Sequence, residues 1–401
     1  MRPSFLINSL HGGGAEKQLS TLIEHFSYEK IYTLEKSAKG PENLIELSSH
    51  CQSTPAFIKL LSLGYYSKKL AKKTLRGETI ISFMTRANAV NTISASRTGH
   101  RAIISERTNP SREFSGLRKK IYSGIIRRTY SQADLIVTNS LGVADEIQRS
   151  FGASQDKIRT IPNHLNLKKI KKMATEPLGE YERLFSSPVI ITSGRLTAAK
   201  AQWRLIKIFS ELKKREPDLR LAILGNGELK EYLKDLALAL GLNIFDAERE
   251  KFKNDRDVYF LSSVENPYNF LARSRLFALT SLWEGLPNAL LEAMACGAPC
   301  VSANCHYGPL EIFSIKPELS QYNSQKPSEE DFGLLLPVLN NQKITYVSQS
   351  PDEAEKVWID YLGSLLKDEK KLSLYSELGK ARAADFDLSR TLPLWERIAD
   401  K

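Results

Sequence analysis

Short apolar, β-branched runs followed by stretches with helical spacing recur along this chain. In the first half they lie at residues 4–8, 79–84, 101–105, 134–138 and 159–161. A basic, poorly patterned stretch at 167–178 interrupts them, and the alternation restarts at 189–193, 219–224, 257–261, 276–280 and 298–302. Strands alternating with helices build βαβ units, so the pattern predicts two parallel sheets in tandem, an α/β chain. The length, 401 residues, allows a separate core for each. The boundaries expected are a first domain over 1–170, a linker near 165–186, a second domain over 186–375 and a final helix over 376–401. The amphipathic stretch from 354 onward reads as two or three helices that pack back across both domains. No repeat of fixed period is present; the halves share only architecture.

Two segments break the usual mixture of charges. Over residues 57–76, Phe57, Leu60, Leu61, Leu63, Tyr66 and Leu70 fall at helical spacing, while Lys68, Lys69, Lys72, Lys73 and Arg76 fill the remainder without an acid. Around 107–128, Leu117, Ile121 and Ile125 repeat the idea beside Arg118, Lys119, Lys120, Arg127 and Arg128. Residues 54–130 hold sixteen Lys or Arg against three acids (Glu78, Glu106 and Glu113), an excess larger than the net +11 of the whole chain. Two solvated helix faces are the plain alternative. The concentration of charge in one domain instead favours a phosphate-bearing ligand or an anionic surface as partner. The four cysteines, Cys51, Cys296, Cys300 and Cys305, form no CxxC and no zinc spacing, which suits a reducing compartment and no structural metal. The start is too short in apolar residues for a signal peptide, and no stretch reaches the roughly 18 to 20 apolar residues of a membrane span. A cytoplasmic protein is expected.

Three segments carry candidate chemistry. The first strand runs into His11-Gly12-Gly13-Gly14-Ala15-Glu16, where consecutive glycines let a ligand approach backbone amides at a helix start. It is not GxGxxG, which disfavours a dinucleotide-dependent dehydrogenase; a tight structural turn is the bland reading. The second domain opens with Ser193-Gly194-Arg195-Leu196-Thr197-Ala198-Ala199-Lys200. Thr197 is expected as the N-cap of the following helix. Two cations at a helix N-terminus are unfavourable unless an anion joins them, and a diphosphate can take a planar fork from Arg195 and a point charge from Lys200. The third segment is Glu284-Gly285-Leu286-Pro287-Asn288-Ala289-Leu290-Leu291-Glu292-Ala293-Met294-Ala295-Cys296-Gly297. Pro287 and Gly297 punctuate a helix of about ten residues, with Glu284 before it and Glu292 inside it. Asp255-x-Asp257, a pattern that elsewhere holds a divalent metal, sits among Lys251, Lys253 and Arg256 and is not expected to do so here.

Taken in order from about residue 5 to 340, these motifs resemble the retaining glycosyltransferases of family 4. The Glu284-x7-Glu292 spacing, the SGRL turn with its following lysine, the LGNG turn at 224–227, VENP at 264–267, IPN at 161–163 and the GGAE start carry the resemblance. It implies a GT-B architecture, two Rossmann-like domains facing across a cleft, with acceptor held mainly by the first, nucleotide-sugar mainly by the second, and a C-terminal helix crossing back. Carried over, Arg195 and Lys200 bind the donor diphosphate, Glu284 faces the donor sugar and Glu292 holds the ribose. Amides at Gly13, Gly14, Gly285 and Leu286, with Pro287 and Asn288 beside them, cradle phosphate or sugar; Gly225, Asn226, Gly227, Ser263 and Val264 flank the base. Glu284, Arg195 and Lys200 are the catalytic candidates. No cofactor or metal is implied, the nucleotide-sugar being a co-substrate.

A narrower resemblance links the strand at 80–83, the turn at 104–109 and the cationic helix to enzymes that extend polyprenyl-diphosphate-linked oligosaccharides, N-acetylgalactosaminyltransferases of bacterial glycan assembly in particular. It implies an acceptor held by Glu106, Arg107, Asn109, Lys68, Lys69 and Lys72, and attachment to the inner face of the plasma membrane. Arg107 departs from the His that those enzymes often carry. A soluble family 4 transferase acting on a free sugar or a small-molecule acceptor is the second expectation. A non-catalytic polyanion-binding protein is a third; it leaves Arg195, Lys200, Glu284 and Glu292 without a purpose, and nucleic acid is not expected as a partner.

Overall fold

A computed structural model describes the chain except for Met1, His11, Ala38, Lys39, Gln52, Phe114, Ser115, residues 345–349 and Lys401, and except for the side chains of Glu113, Leu117 and Arg118. The chain divides into two units, Met1–His164 with Leu388–Lys401, and Leu165–Asp387.

In the first unit, seven strands form one sheet: β1 (Ser4–Ile7), β2 (Ile31–Thr33), β3 (Leu44–Glu46), β4 (Thr79–Phe83), β5 (Arg101–Glu106), β6 (Leu135–Thr138) and β7 (Ile158–Thr160). Their order is β3-β2-β1-β4-β5-β6-β7, parallel throughout. Strands such as β1 and β6 read as unbroken apolar runs because helices cover both faces of a parallel sheet. Phe5, Ile7, Ile81, Phe83, Ile103 and Val137 build the core on one side, and Leu6, Ile80, Tyr66 and Leu70 build it on the other. The last helix, Leu388–Ala399, belongs here: Trp395 is completely buried against Phe83, ring centroids 5.6 Å apart. An indole removed from such a place costs about 3–5 kcal/mol, so the end of the chain completes the first core.

The second unit carries β8 (Val189–Ser193), β9 (Arg220–Leu224), β10 (Ile244–Asp246), β11 (Val258–Ser262), β12 (Leu276–Leu279), β13 (Cys300–Ala303), β14 (Ser328–Glu330) and β15 (Gly333–Leu336). The order is β10-β11-β9-β8-β12-β13-β15-β14, with β14 alone antiparallel. In both sheets the strand order reverses beside the first strand, between β1 and β4 and between β8 and β12. Ligands of open α/β sheets bind outside the carboxyl ends of strands at such points, which directs attention to residues that follow β8 and β12.

Several expectations are corrected. The basic helix expected over 57–76 is two helices, Ala56–Leu61 and Leu63–Ala71, and ends earlier. They part at Ser62, whose hydroxyl bonds back to the Ile58 carbonyl, the local competition that loosens helices at serine. In the second basic stretch the described helical residues are Pro110–Glu113 and Gly116–Gln132, the latter 17 residues long. The segment expected as linker is folded into the second unit: Leu167–Ala174 is a helix with Ile170 buried, and Gly179–Ser186 forms 3-10 turns with Leu184 buried. At the far end Glu353–Leu365 and Glu369–Ala383 stay with the second unit, and the chain returns to the first between Asp387 and Leu388.

Candidate functional site

β8 leaves the sheet at Gly194, whose φ of +145° suits glycine, and places Arg195 in solvent. Gly194 donates its amide to the Leu224 carbonyl (2.9 Å) and Leu196 to that of Asn226 (2.9 Å), so the SGRL and LGNG turns are knitted together. A Cβ on Gly225 would stand 2.0 Å from the Gly194 carbonyl oxygen and one on Gly227 2.4 Å from that of Leu196. Both glycines are there because backbone passes backbone without room for a methyl group. Thr197, expected as a helix N-cap, instead precedes a 3-10 turn, Ala198–Lys200, and makes no side-chain cap; the α-helix Gln202–Arg215 starts after Ala201, held at φ +48°. The extra turn brings the Lys200 side chain back over Gly194.

There it meets the loop after β12. The Lys200 ammonium pairs with Glu284 Oε1, and Ser281 Oγ donates to the same oxygen at 2.6 Å. The loop is held by backbone: Leu282 N to Ala199 O (2.8 Å), Glu284 N to His306 O (2.6 Å) and Tyr307 N to Glu284 O (3.1 Å). Thr280 Oγ1 donates to the Lys200 carbonyl (3.0 Å). Asn288–Cys296 follows as a helix, preceded by Pro287 and ended by Gly297 at φ +81°, as its punctuation predicts. Glu292 is buried on it. Leu286 is buried and Gly285 lies under Gly308, a Cβ on which would come 2.7 Å from the Gly285 oxygen.

Beside the knitted turns, at the ends of β9, β10 and β11, lies a charged cluster that sequence reasoning missed. Lys230 Nζ contacts Ser262 Oγ (2.9 Å), Asp246 Oδ1 (3.1 Å) and Glu248 Oε2 (2.7 Å), and Lys234 reaches Asp246 Oδ2 at 2.6 Å. Burial opposes the Asp246 charge, yet hydrogen bonds from Lys234 and Lys230 hold its carboxyl below the usual range; Lys230 and Ser262 do the same for Glu248. Asn226 donates to Glu248 (3.2 Å), with Ser263 exposed and Val264 half-buried next to it. Sheet register together with the helix Lys230–Ala239 assembles these groups, and no local motif announces them. Ser281 was missed as well, although it stands only three residues before Glu284 in the same loop.

The remaining expected residues belong to the first unit. Gly13 precedes the helix Gly14–Ile23, and His11 lies outside the described residues. Glu106, Arg107 and Asn109, expected to meet an acceptor, are buried. Glu106 accepts from the Arg107 amide, Thr108 and Tyr130. Arg107 is sandwiched between Phe83 and Trp395, 5.4 and 5.2 Å from their centroids, and donates through Nη1 to Asn163 Oδ1 (2.9 Å) and Ile161 O (3.3 Å). Burial pushes its guanidinium down to about 9, with Glu106 opposing. Lys68 and Lys72 are exposed; Lys69 lies over the Tyr65 ring at 4.8 Å. Asp257 is tied to Lys213 (2.7 Å) and Asp255 to Arg256 (2.9 Å), so the two do not converge. Among the described residues no His, Cys, Asp and Glu group could hold a metal, and no helix is long and apolar enough to cross a membrane.

A sequence model described as Glycosyltransferase Family 4 matches residues 51–169, and one described as Glycosyl transferases group 1 matches 182–331. An uncharacterized glycosyltransferase of Methanocaldococcus jannaschii is 32% identical over 300 residues, 73% of this chain and 70% of its own length. The chain belongs to glycosyltransferase family 4. Within that family it is also similar to the N-acetylgalactosamine-N,N'-diacetylbacillosaminyl-diphospho-undecaprenol 4-alpha-N-acetylgalactosaminyltransferase of Campylobacter jejuni, 29% identical over 95% of this chain and 94% of the relative. The fold is GT-B: the Anabaena HepE structure in complex with UDP-glucose superposes over the full length of both chains with a TM-score of 0.72 at 17% identity. As a family 4 glycosyltransferase, the chain has Arg195, Lys200 and Glu284 clustered where its second sheet reverses order.

Proposed function

We propose that this glycosyltransferase is a retaining enzyme that moves a hexose or N-acetylhexosamine from a UDP-sugar onto a lipid-diphosphate-linked glycan, with no metal or other cofactor. The observation that carries the reading is the meeting of two turns: exposed Arg195 and the Lys200 ammonium stand with Glu284 at the carboxyl ends of β8 and β12. As the anomeric C–O bond breaks, its electron pair goes to the diphosphate. Cations already in place beside that leaving group lower the barrier because they need no rearrangement as the charge grows. Glu284 receives sugar hydroxyls, Glu292 the ribose, and the turns at Gly225, Asn226 and Gly227 and at Ser263 and Val264 flank the base. The family spacing of Glu284 and Glu292 supports retention.

The acceptor side rests on the first unit. Lys68, Lys69 and Lys72 attract a diphosphate and anionic headgroups, and the turn formed by Glu106, Arg107 and Asn109 shapes the acceptor's seat. Phe57 and Leu61, 62% and 81% exposed on the preceding helix, offer apolar contact to the inner face of the plasma membrane. The Campylobacter jejuni relative, named for a diphospho-undecaprenol acceptor, supports the lipid-linked substrate; the HepE complexes with UDP and UDP-glucose support the base.

A thermal-shift panel of UDP, GDP, ADP and their common sugars tests the donor. UDP compounds at about 100 times their dissociation constant should stabilise the protein by ~2.7 kcal/mol, and the shift should vanish in Arg195→Ala with Lys200→Ala. A panel with no shift, or one that survives the double substitution, overturns the reading.

A further inference from the structure

Lys200 and Glu284 satisfy each other within the second unit, their side chains only 22% and 10% exposed. The Glu284 oxygen that takes the ammonium also takes the Ser281 hydroxyl, and the backbone of Glu284 is clamped on both sides by residues 306 and 307. The carboxylate therefore cannot retreat far. Arg195, on the same turn as Lys200, has no side-chain partner among the described residues. The turn thus presents one committed cation and one uncommitted one.

We propose that Glu284 competes with the donor's diphosphate for Lys200 and thereby makes the site prefer the nucleotide-sugar over the free nucleoside diphosphate. The proposal rests on the UDP-sugar reading above. A diphosphate brought to Lys200 sets further negative charge beside a half-buried carboxylate, where water screens repulsion poorly. In this competition phosphate draws the ammonium away from Glu284. When the ligand carries a sugar, its hydroxyls become the new donors to the displaced carboxylate. When the ligand is UDP alone, Ser281 is the one donor left to it among the described residues, and a desolvated carboxylate without a cation is costly. UDP is weakened relative to UDP-sugar, which speeds release of the product once the sugar has gone. Glu284 acts in this through Lys200, as a positioning and selectivity residue in addition to its contact with the sugar.

Calorimetric titration of UDP and UDP-N-acetylgalactosamine into wild type, Glu284→Gln, Ser281→Ala and Lys200→Ala tests it. Glu284→Gln should bind UDP about tenfold tighter and the sugar nucleotide no tighter than wild type. Ser281→Ala, which strips the displaced carboxylate of its last donor, should shift the opposite way and weaken UDP more than the sugar nucleotide. A role in folding alone would move both ligands together. Should Glu284→Gln fail to fold, the ratio in Ser281→Ala decides. Lys200-dependent UDP binding that is no tighter in Glu284→Gln than in wild type, or that Ser281→Ala leaves unweakened, overturns this inference and leaves the donor reading standing; wild type that binds neither ligand overturns both.

Discussion

His164 and His100 sit in the first unit as neutral imidazoles. His164 donates Nε2–H to the Gln18 carbonyl (3.0 Å) and exchanges two further bonds with the Gln18 side chain. Burial first, and then the nearby Arg107 guanidinium, push its pKa down to about 4. Burial does the same for His100, to about 4, with Asp134 opposing. In the unfolded chain both protonate near pH 6.5. Between those values the unfolded state holds more protons than the folded one, so stability falls as pH drops from about 6.5 to 4, by at most ~1.4 kcal/mol per pH unit for each histidine. Melting temperatures across that window should decline less steeply in His164→Gln and His100→Gln than in wild type; an unchanged slope would mean that the histidines already titrate in the folded protein. Arg107 makes a complementary point about what can be read locally. Its charge and its position after β5 are plain in the sequence, but its roof is Trp395, from the far end of the chain. Contacts between residues so remote leave no trace in local spacing.

Elements were legible where punctuation is strong. Pro287 and Gly297 bound their helix as expected, and the strands of both switch points lie within a residue or two of the apolar runs that announced them. Elsewhere the pattern misleads: a local hydrogen bond of Ser62 breaks the basic helix, and the turn at 198–200 delays the helix expected to start at Thr197. The short strands β2, β3, β10 and β14, three residues each, go unannounced by the pattern, whereas β7, equally short, is announced. The knitted SGRL and LGNG turns yield a sharp expectation. Gly225→Ala forces a methyl group onto the Gly194 carbonyl, and both partners are backbone, so neither can rotate away. It should cost about 3 kcal/mol and move the turn that carries Arg195. A lowered melting temperature together with loss of the UDP shift, measured where the variant is still folded, would bear this out. Full retention of the shift would show that the turn tolerates displacement.

At the scale of the whole molecule, the charge is lopsided. The basic excess of residues 54–130 is concentrated where Phe57, Leu61, Tyr65 and Leu75 remain exposed among lysines. Each cation near an anionic bilayer contributes about 1 kcal/mol, and exposed aromatic and aliphatic groups add apolar contact. The protein should therefore sediment with phosphatidylglycerol vesicles and not with phosphatidylcholine vesicles, less so as salt rises. Exchange of Lys68, Lys69 and Lys72 for Glu should weaken that binding by more than about tenfold while leaving the UDP shift intact. Binding that ignores both salt and charge reversal would locate membrane attachment elsewhere.

The sequence by itself determined the α/β class, the tandem sheets and the residues of the turns at 193–200, 224–227 and 284–288, because strand and helix periodicity, glycine and proline punctuation and motif spacing are all short-range properties. Only the tertiary structure decided that Lys200 answers to Glu284, that Lys230 gathers Asp246, Glu248 and Ser262, and that the last helix completes the first core. Each of those depends on strand order and register, which bring together residues that no local pattern relates.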